Sequence, residues 1–174
     1  MSANDANNME NSMEKTLIVA QLRRLNIDDL PAVLEIERRS FHEPWSEESY
    51  RHELSTNPIA RYWGVFIEEQ LVGFAGYWLI LDEGHISNVA VHPDHRGKGL
   101  SKLLMAAVIS ECRLAEGRRM TLEVRESNTT AQNLYIKFGF SVAGQRPGYY
   151  SDNNETALIM WADITDMDVQ QLLH

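Results

Sequence analysis

The stretch HRGKGLSK, residues 95–102, sets Arg96, Gly97, Lys98 and Gly99 directly before an apolar helical pattern that begins at Leu100, Ser101 and Lys102. A helix N-terminus presents unpaired N–H groups and a partial positive charge, so it attracts anions. Glycines there let the backbone come close to a ligand. Arg96, Lys98 and Lys102 add full positive charges, and a pyrophosphate fits that description. No phosphate-binding G-x-x-x-x-G-K-[ST] motif is present, and GKGLSK lacks the third glycine of a dinucleotide fingerprint. On spacing alone a surface turn with solvated cations serves equally well.

A second set of residues could do proton chemistry. Glu123 lies in TLEVR, with Leu122 and Val124 on the opposite face of a strand. A carboxylate in a central strand needs water, a hydrogen bond or a cation such as Arg125. Tyr135 lies on the apolar face of a helix, where packing alone would account for it. Asn128 stands where that helix needs an N-cap.

These residues need a scaffold, and the periodicities supply one. LIVAQLRRL (17–25) reads as a strand, and residues 26–41 as a helix with Leu30, Val33, Leu34 and Glu37 near one stripe. HEPW breaks that helix, and Ser46 caps a second one running to about Thr56. Strands follow at 61–68, 71–81 and 85–91. A helix from Leu100 to near Gly117 precedes a strand at RMTLEV and a helix over 127–140. Gly139 occupies the C′ position, with Phe140 as its apolar partner. SVAGQ and TALIMW are two last strands around a polar, aromatic loop. The expected order is β-α-α-β-β-β-α-β-α-β-β, an α/β fold on one mixed, mostly antiparallel sheet flanked by helices. Residues 15–165 form the expected domain, between a disordered tail at 1–14 and a C-terminal tail at 166–174.

The 174 residues suffice for one domain with a real core, and the apolar fraction of 44% argues against disorder. A net charge of −9 disfavours direct nucleic-acid binding and suits a cationic substrate. The one cysteine, Cys112, fits a reducing compartment, and the polar N-terminus lacks the apolar core of a signal peptide. No run approaches the roughly 18 apolar residues of a membrane span. A cytoplasmic protein is the expectation.

The pattern [RQ]-x-x-G-x-[GA], here Arg96 to Ser101, resembles the coenzyme A pyrophosphate loop of the GNAT N-acetyltransferases. Ser101 departs from the usual Gly or Ala. FHEPWSEESY, TLEVRESNTTAQNLYIKFGF and GYYSDNNETALIMW together resemble the branch of that family that acetylates the N-terminal alanine of ribosomal protein S18. The resemblance spans residues 17–163. It implies the GNAT fold, with acetyl-CoA as cosubstrate and no metal. It implies that Val89, Ala90 and Val91 offer backbone groups to the thioester and pantetheine, and that Asn128 contacts the coenzyme. Glu123 then matches the general base, acting through water, and Tyr135 the acid that protonates the departing thiolate. Trp45, Tyr149 and Tyr150 match the loops of the peptide groove.

An α-amine has a pKa of about 7.8 and a lysine one of about 10.4, so near neutrality a single modest base suits an N-terminus better. The expected activity is direct acetyl transfer, in a ternary complex, to a basic protein N-terminus, that of S18. A broader N-terminal or small-amine acetyltransferase is the rival enzyme reading. A catalytically silent acyl-CoA-binding module is the rival of another class. Cys112 lies mid-helix without a recognisable nucleophile setting, and His85, His92 and His95 match no zinc spacing. Those histidines are expected in solvated loops.

Overall fold

The computed structural model describes residues 19–173. The expected tail at 1–14 lies outside the described residues. Seven strands form one sheet, in the order β1 (Ala20–Arg24), β2 (Ala60–Ile67), β3 (Gln70–Ile80), β4 (Glu83–Val91), β5 (Arg119–Arg125), β7 (Glu155–Asp163), β6 (Ser141–Tyr150). Helices α1 (Leu30–Ser40) and α2 (Glu47–Ser55) precede β2. Helix α3 (Leu100–Leu114) links β4 to β5, and α4 (Thr129–Lys137) links β5 to β6. Every strand pair is antiparallel except β4 with β5. Three short 3-10 turns, at 27–29, 93–95 and 171–173, add to the expected order.

The sheet separates two apolar cores. On one side Leu30, Val33, Ile36 and Tyr50 of the first two helices meet Tyr62, Phe66 and Phe74. On the other, Leu104, Met105, Val108 and Ile109 of α3, with Tyr135 and Phe138, meet Val65, Tyr77, Met120 and Met160. Strand β3 is buried almost without alternation because helices cover both its faces.

Local chemistry sets the element ends. The side chain of Asn26 accepts from the Asp28 amide at 2.8 Å, and Asp29 accepts from the Asn26 amide at 2.9 Å, so the first helix opens as a capped 3-10 turn. Its buried stripe runs through Ile36 where the sequence suggested Leu34, which is only partly buried. Ser46 caps α2 by accepting from the Ser49 amide at 3.1 Å. Gly139, at φ +77°, ends α4: its amide donates to Ile136 at 3.0 Å and that of Phe140 to Tyr135 at 3.1 Å.

Two expectations need correction. His85 stands inside β4, paired in register with Thr121 and 3.5 Å from Glu83, and not in a loop. Strand β6 runs on through Pro147 to Tyr150, so both tyrosines belong to a strand end. The strand is at the sheet edge, and irregular pairing between Arg146 and Tyr150 lets it carry a proline. After β7, Val169 is buried, Leu172 and Leu173 lie against the α3-side core, and Arg113 donates to the Met167 carbonyl at 2.6 Å.

Candidate active site

Gly99 directly precedes helix α3, and its φ of +76° is matched by Gly97. A Cβ at either glycine would meet nothing within 4 Å, so the requirement is the left-handed backbone and not space. No side chain caps the helix. The first turn of a 15-residue helix therefore points its amides outward beside exposed Arg96 and Lys98 and half-buried Ser101 and Lys102. Leu100 turns inward and anchors the turn to the core. Arg96 is tied back, its Nε donating to the Val91 carbonyl at 3.1 Å. Lys98 Nζ lies 3.4 Å from the Asp94 carbonyl oxygen and 3.4 Å from His95 Nδ1.

Beside this helix the sheet opens. Strands β4 and β5 pair only at Glu83–Arg119, Gly84–Met120 and His85–Thr121, yet β4 continues to Val91 and β5 to Arg125. The His92 amide donates to Val72 on β3 at 2.8 Å. Antiparallel alternation then turns the backbone groups of Ala90 toward β3 and those of Val89 and Val91 toward the opening. Ala90 fills the core beneath α1, while Val89 and Val91 lie against the α3-side core.

Glu123 projects from β5 in this unpaired region. Leu122 and Val124, on the other face, are buried. The carboxylate is half-buried and lies 3.4 Å from Arg146 on β6, a cation the sequence left unnamed. Tyr135 is buried on α4 with its ring 6.0 Å from that of Phe140. Burial raises the pKa of its phenol, and nearby Tyr150 raises it further. Burial also pushes Tyr150 up to about 12, against the lowering effect of Arg125, while Glu123 adds a smaller upward push. Tyr150 thus stands within electrostatic reach of both Glu123 and Tyr135. Asn128 caps α4, accepting from the Ala131 amide at 3.1 Å.

Trp45 is half-buried, its ring centroid 5.5 Å from Tyr50 and 6.4 Å from Trp78. Its amide donates to Glu37 at 3.0 Å, and the Tyr50 hydroxyl donates to the other oxygen of that carboxylate at 2.7 Å. Glu37 is thereby the buried anchor of the HEPW loop, and burial raises its pKa against those two hydrogen bonds. The loop touches the β6–β7 hairpin where Ser151 donates to Glu43 at 3.0 Å. Tyr149 is exposed, 5.1 Å from Tyr150 edge to face, with Arg146 5.7 Å above its ring.

The hairpin is held by Arg125, which the sequence offered as a cation for Glu123; Arg146 takes that place, and Arg125 turns to two carboxylates the sequence did not single out. Arg125 binds Asp152 at 2.9 Å and Glu155 at 3.1 Å, and its guanidinium lies 3.9 Å over the Tyr150 ring. Only the pairing of β5 with β7 and the turn between β6 and β7 bring these groups together. A strand pattern puts Arg125 on the same face as Glu123, which is why it suggested that pair, but it cannot place Arg125 beside Asp152 and Glu155.

The remaining reactive groups fall away from this site. Burial pushes the Cys112 thiol up to about 11. Among the described residues no three His, Cys, Asp or Glu side chains form a group that could hold a metal, and no helix is long and apolar enough to cross a membrane.

Residues 30–140 match the Acetyltransferase (GNAT) family profile. A Bacillus subtilis relative, named provisionally as a ribosomal protein bS18-alanine N-acetyltransferase, is 42% identical over 84% of this chain and 97% of its own. The Escherichia coli K12 ribosomal protein bS18-alanine N-acetyltransferase is 36% identical over 78% of this chain and 92% of its own. The crystal structure of the S18-alanine N-acetyltransferase from Escherichia coli superposes with a TM-score of 0.80 at 32% identity, covering 86% of this chain and 96% of that one. Together with the opened seven-stranded sheet, these matches show that the chain belongs to the GNAT family of N-acetyltransferases.

Proposed function

We propose that the chain is an acetyl-CoA-dependent N-α-acetyltransferase whose acceptor is the N-terminal alanine of ribosomal protein S18, with direct transfer in a ternary complex. The observation that carries this reading is the opening between β4 and β5. The uncapped start of α3 lies at its β4 end, and Glu123 projects from its β5 side. The bS18-alanine acetyltransferase names of the relatives support the choice of acceptor.

The residues fit the cosubstrate. The amides of Gly97–Lys102, with Arg96, Lys98 and Lys102, would hold the pyrophosphate. Asn128 lies at the adjacent helix start, and its amide oxygen is engaged in capping. Backbone groups of Val89 and Val91 face the opening, while Ala90 supports the strand from its other side. When bound, acetyl-CoA supplies an activated thioester. The chain supplies the proton handling: Glu123 takes a proton from the amine through water, and Tyr135 delivers one to sulfur. The raised pKa of Tyr135 keeps the phenol protonated at neutral pH. A thioester sulfur has almost no basicity until the C–S bond breaks, so donation belongs in step with the negative charge that builds on sulfur during cleavage. Direct transfer is supported by Cys112, which is buried and has a raised pKa.

On the acceptor side, Trp45 sits on the HEPW loop and the Tyr149–Tyr150 pair at the end of β6, and Glu43 and Ser151 join that loop to the β6–β7 hairpin. The test uses two peptides, one beginning with alanine and carrying lysines, the other identical but blocked at its α-amine. Mass spectrometry after incubation with acetyl-CoA should find acetyl on the α-amine of the first and little on the second. Preferential lysine labelling would favour the small-amine reading.

A further inference from the structure

Arg125 and Arg146 both approach the site from β-strands, but their settings differ. Arg146 is exposed and touches Glu123 through one oxygen at 3.4 Å. Arg125 has only 24% of its side chain accessible and grips two carboxylates with accessibilities of 21% and 14%. Its Nη2 meets Asp152 at 2.9 Å, while Nη1 meets both Glu155 and Asn153 at 3.1 Å. Glu155 uses its other oxygen to accept from the Ser127 amide at 2.7 Å, at the entrance to α4. Gln132 of α4 returns the contact, donating to the carbonyls of Arg125 and Glu126 at 2.9 Å each.

One junction therefore ties three pieces of chain. Strand β5 carries Glu123, α4 carries Tyr135, and the β6–β7 hairpin carries Tyr149 and Tyr150. We propose that Arg125 is a positioning residue that registers the acceptor hairpin against Glu123 and Tyr135. A guanidinium suits this task because its planar fork reaches Asp152 and Glu155 together while its face covers Tyr150. An ammonium has the charge without the fork or the flat face. The kinetic part of this inference rests on the acetyl transfer proposed above; the structural part does not.

The test compares wild type, Arg125→Gln and Arg125→Lys. Steady-state kinetics would use the alanine-terminated peptide and acetyl-CoA, and hydrogen exchange of residues 150–155 would be followed in the free protein. In Arg125→Gln the peptide KM should rise by about 10-fold or more, the scale expected when a positioning contact is lost. Its acetyl-CoA KM should stay within about 2-fold and its kcat within about 3-fold, because substrate positioning and not proton transfer is impaired. Hairpin amides should exchange faster. Arg125→Lys should recover part of the peptide KM. Should Arg125→Gln fail to fold, Glu155→Gln breaks the same junction and should show the same split. An unchanged peptide KM, an equal rise in both KM values, or unaltered hairpin exchange would overturn the proposal. A wild type inactive on the peptide would refute the proposed function, while the exchange comparison would still decide the structural claim.

Discussion

The two sides of the opening are built from different materials. At the start of α3 the proposed binding surface is backbone: two left-handed glycines, uncapped amides, and cations that touch the Val91 and Asp94 carbonyls, His95 and Ser40 but are paired with no carboxylate among the described residues. At the β6–β7 hairpin it is side chain: aromatic rings on a guanidinium, with carboxylates already neutralised by it. The first side holds free positive potential for a phosphate. The second has its charge largely spent internally and presents shape. Such an arrangement suits one chemically fixed ligand and one variable ligand, because side-chain surfaces can change without disturbing the sheet.

The largest effect should come from the groups between the two sides. Glu123→Gln should lower kcat/KM by about 10²-fold or more, the usual scale for a general base. Tyr135→Phe keeps the buried ring, and should lower kcat more than it changes either KM. Steady-state rates with both substrates check these outcomes. Near-normal rates in both variants would show that neither side chain handles the proton.

The difference in material also explains what could be read in advance. The loop at 96–102 is local, so glycine spacing and the onset of helical periodicity announce it. Ser46, Asn128 and Gly139 likewise act within a few residues of themselves. Arg125 meets partners about thirty residues away, brought there by the β5–β7 pairing. Glu123 illustrates the boundary. The need for a cation was legible, but Arg146 as that cation depends on β6 lying at the sheet edge. The stretch holding Tyr149 and Tyr150 reads as a polar, aromatic loop between SVAGQ and TALIMW, whereas edge position and irregular pairing keep the strand going to Tyr150.

A smaller effect should appear in stability. Bonds from the Ser127 hydroxyl and amide, then from Asn153 and Arg125, hold the Glu155 carboxyl down at about 2. Its unfolded value is about 4.3, so the stability it lends is fully present above that pH and is lost as pH falls toward 2. Urea unfolding across that window should show a shallower acid loss in Glu155→Gln than in wild type. Some acid sensitivity should persist, because Asp29, lowered chiefly by Arg23, and Asp163, lowered chiefly by the Thr165 amide, titrate in the same direction. Equal acid slopes would mean that the Glu155 charge adds nothing to the fold.

Calorimetric titration of coenzyme A tests the division between the two sides most directly. The proteins would be wild type, the loop variant Arg96→Glu with Lys98→Glu, and Arg125→Gln. The loop variant should bind about 10-fold or more weakly, since two attractive charges become repulsive at an anion site. Arg125→Gln should bind within about 2-fold of wild type, its defect being confined to the acceptor side. Unchanged affinity in the loop variant, with the protein folded, would contradict the assignment of the coenzyme to the start of α3.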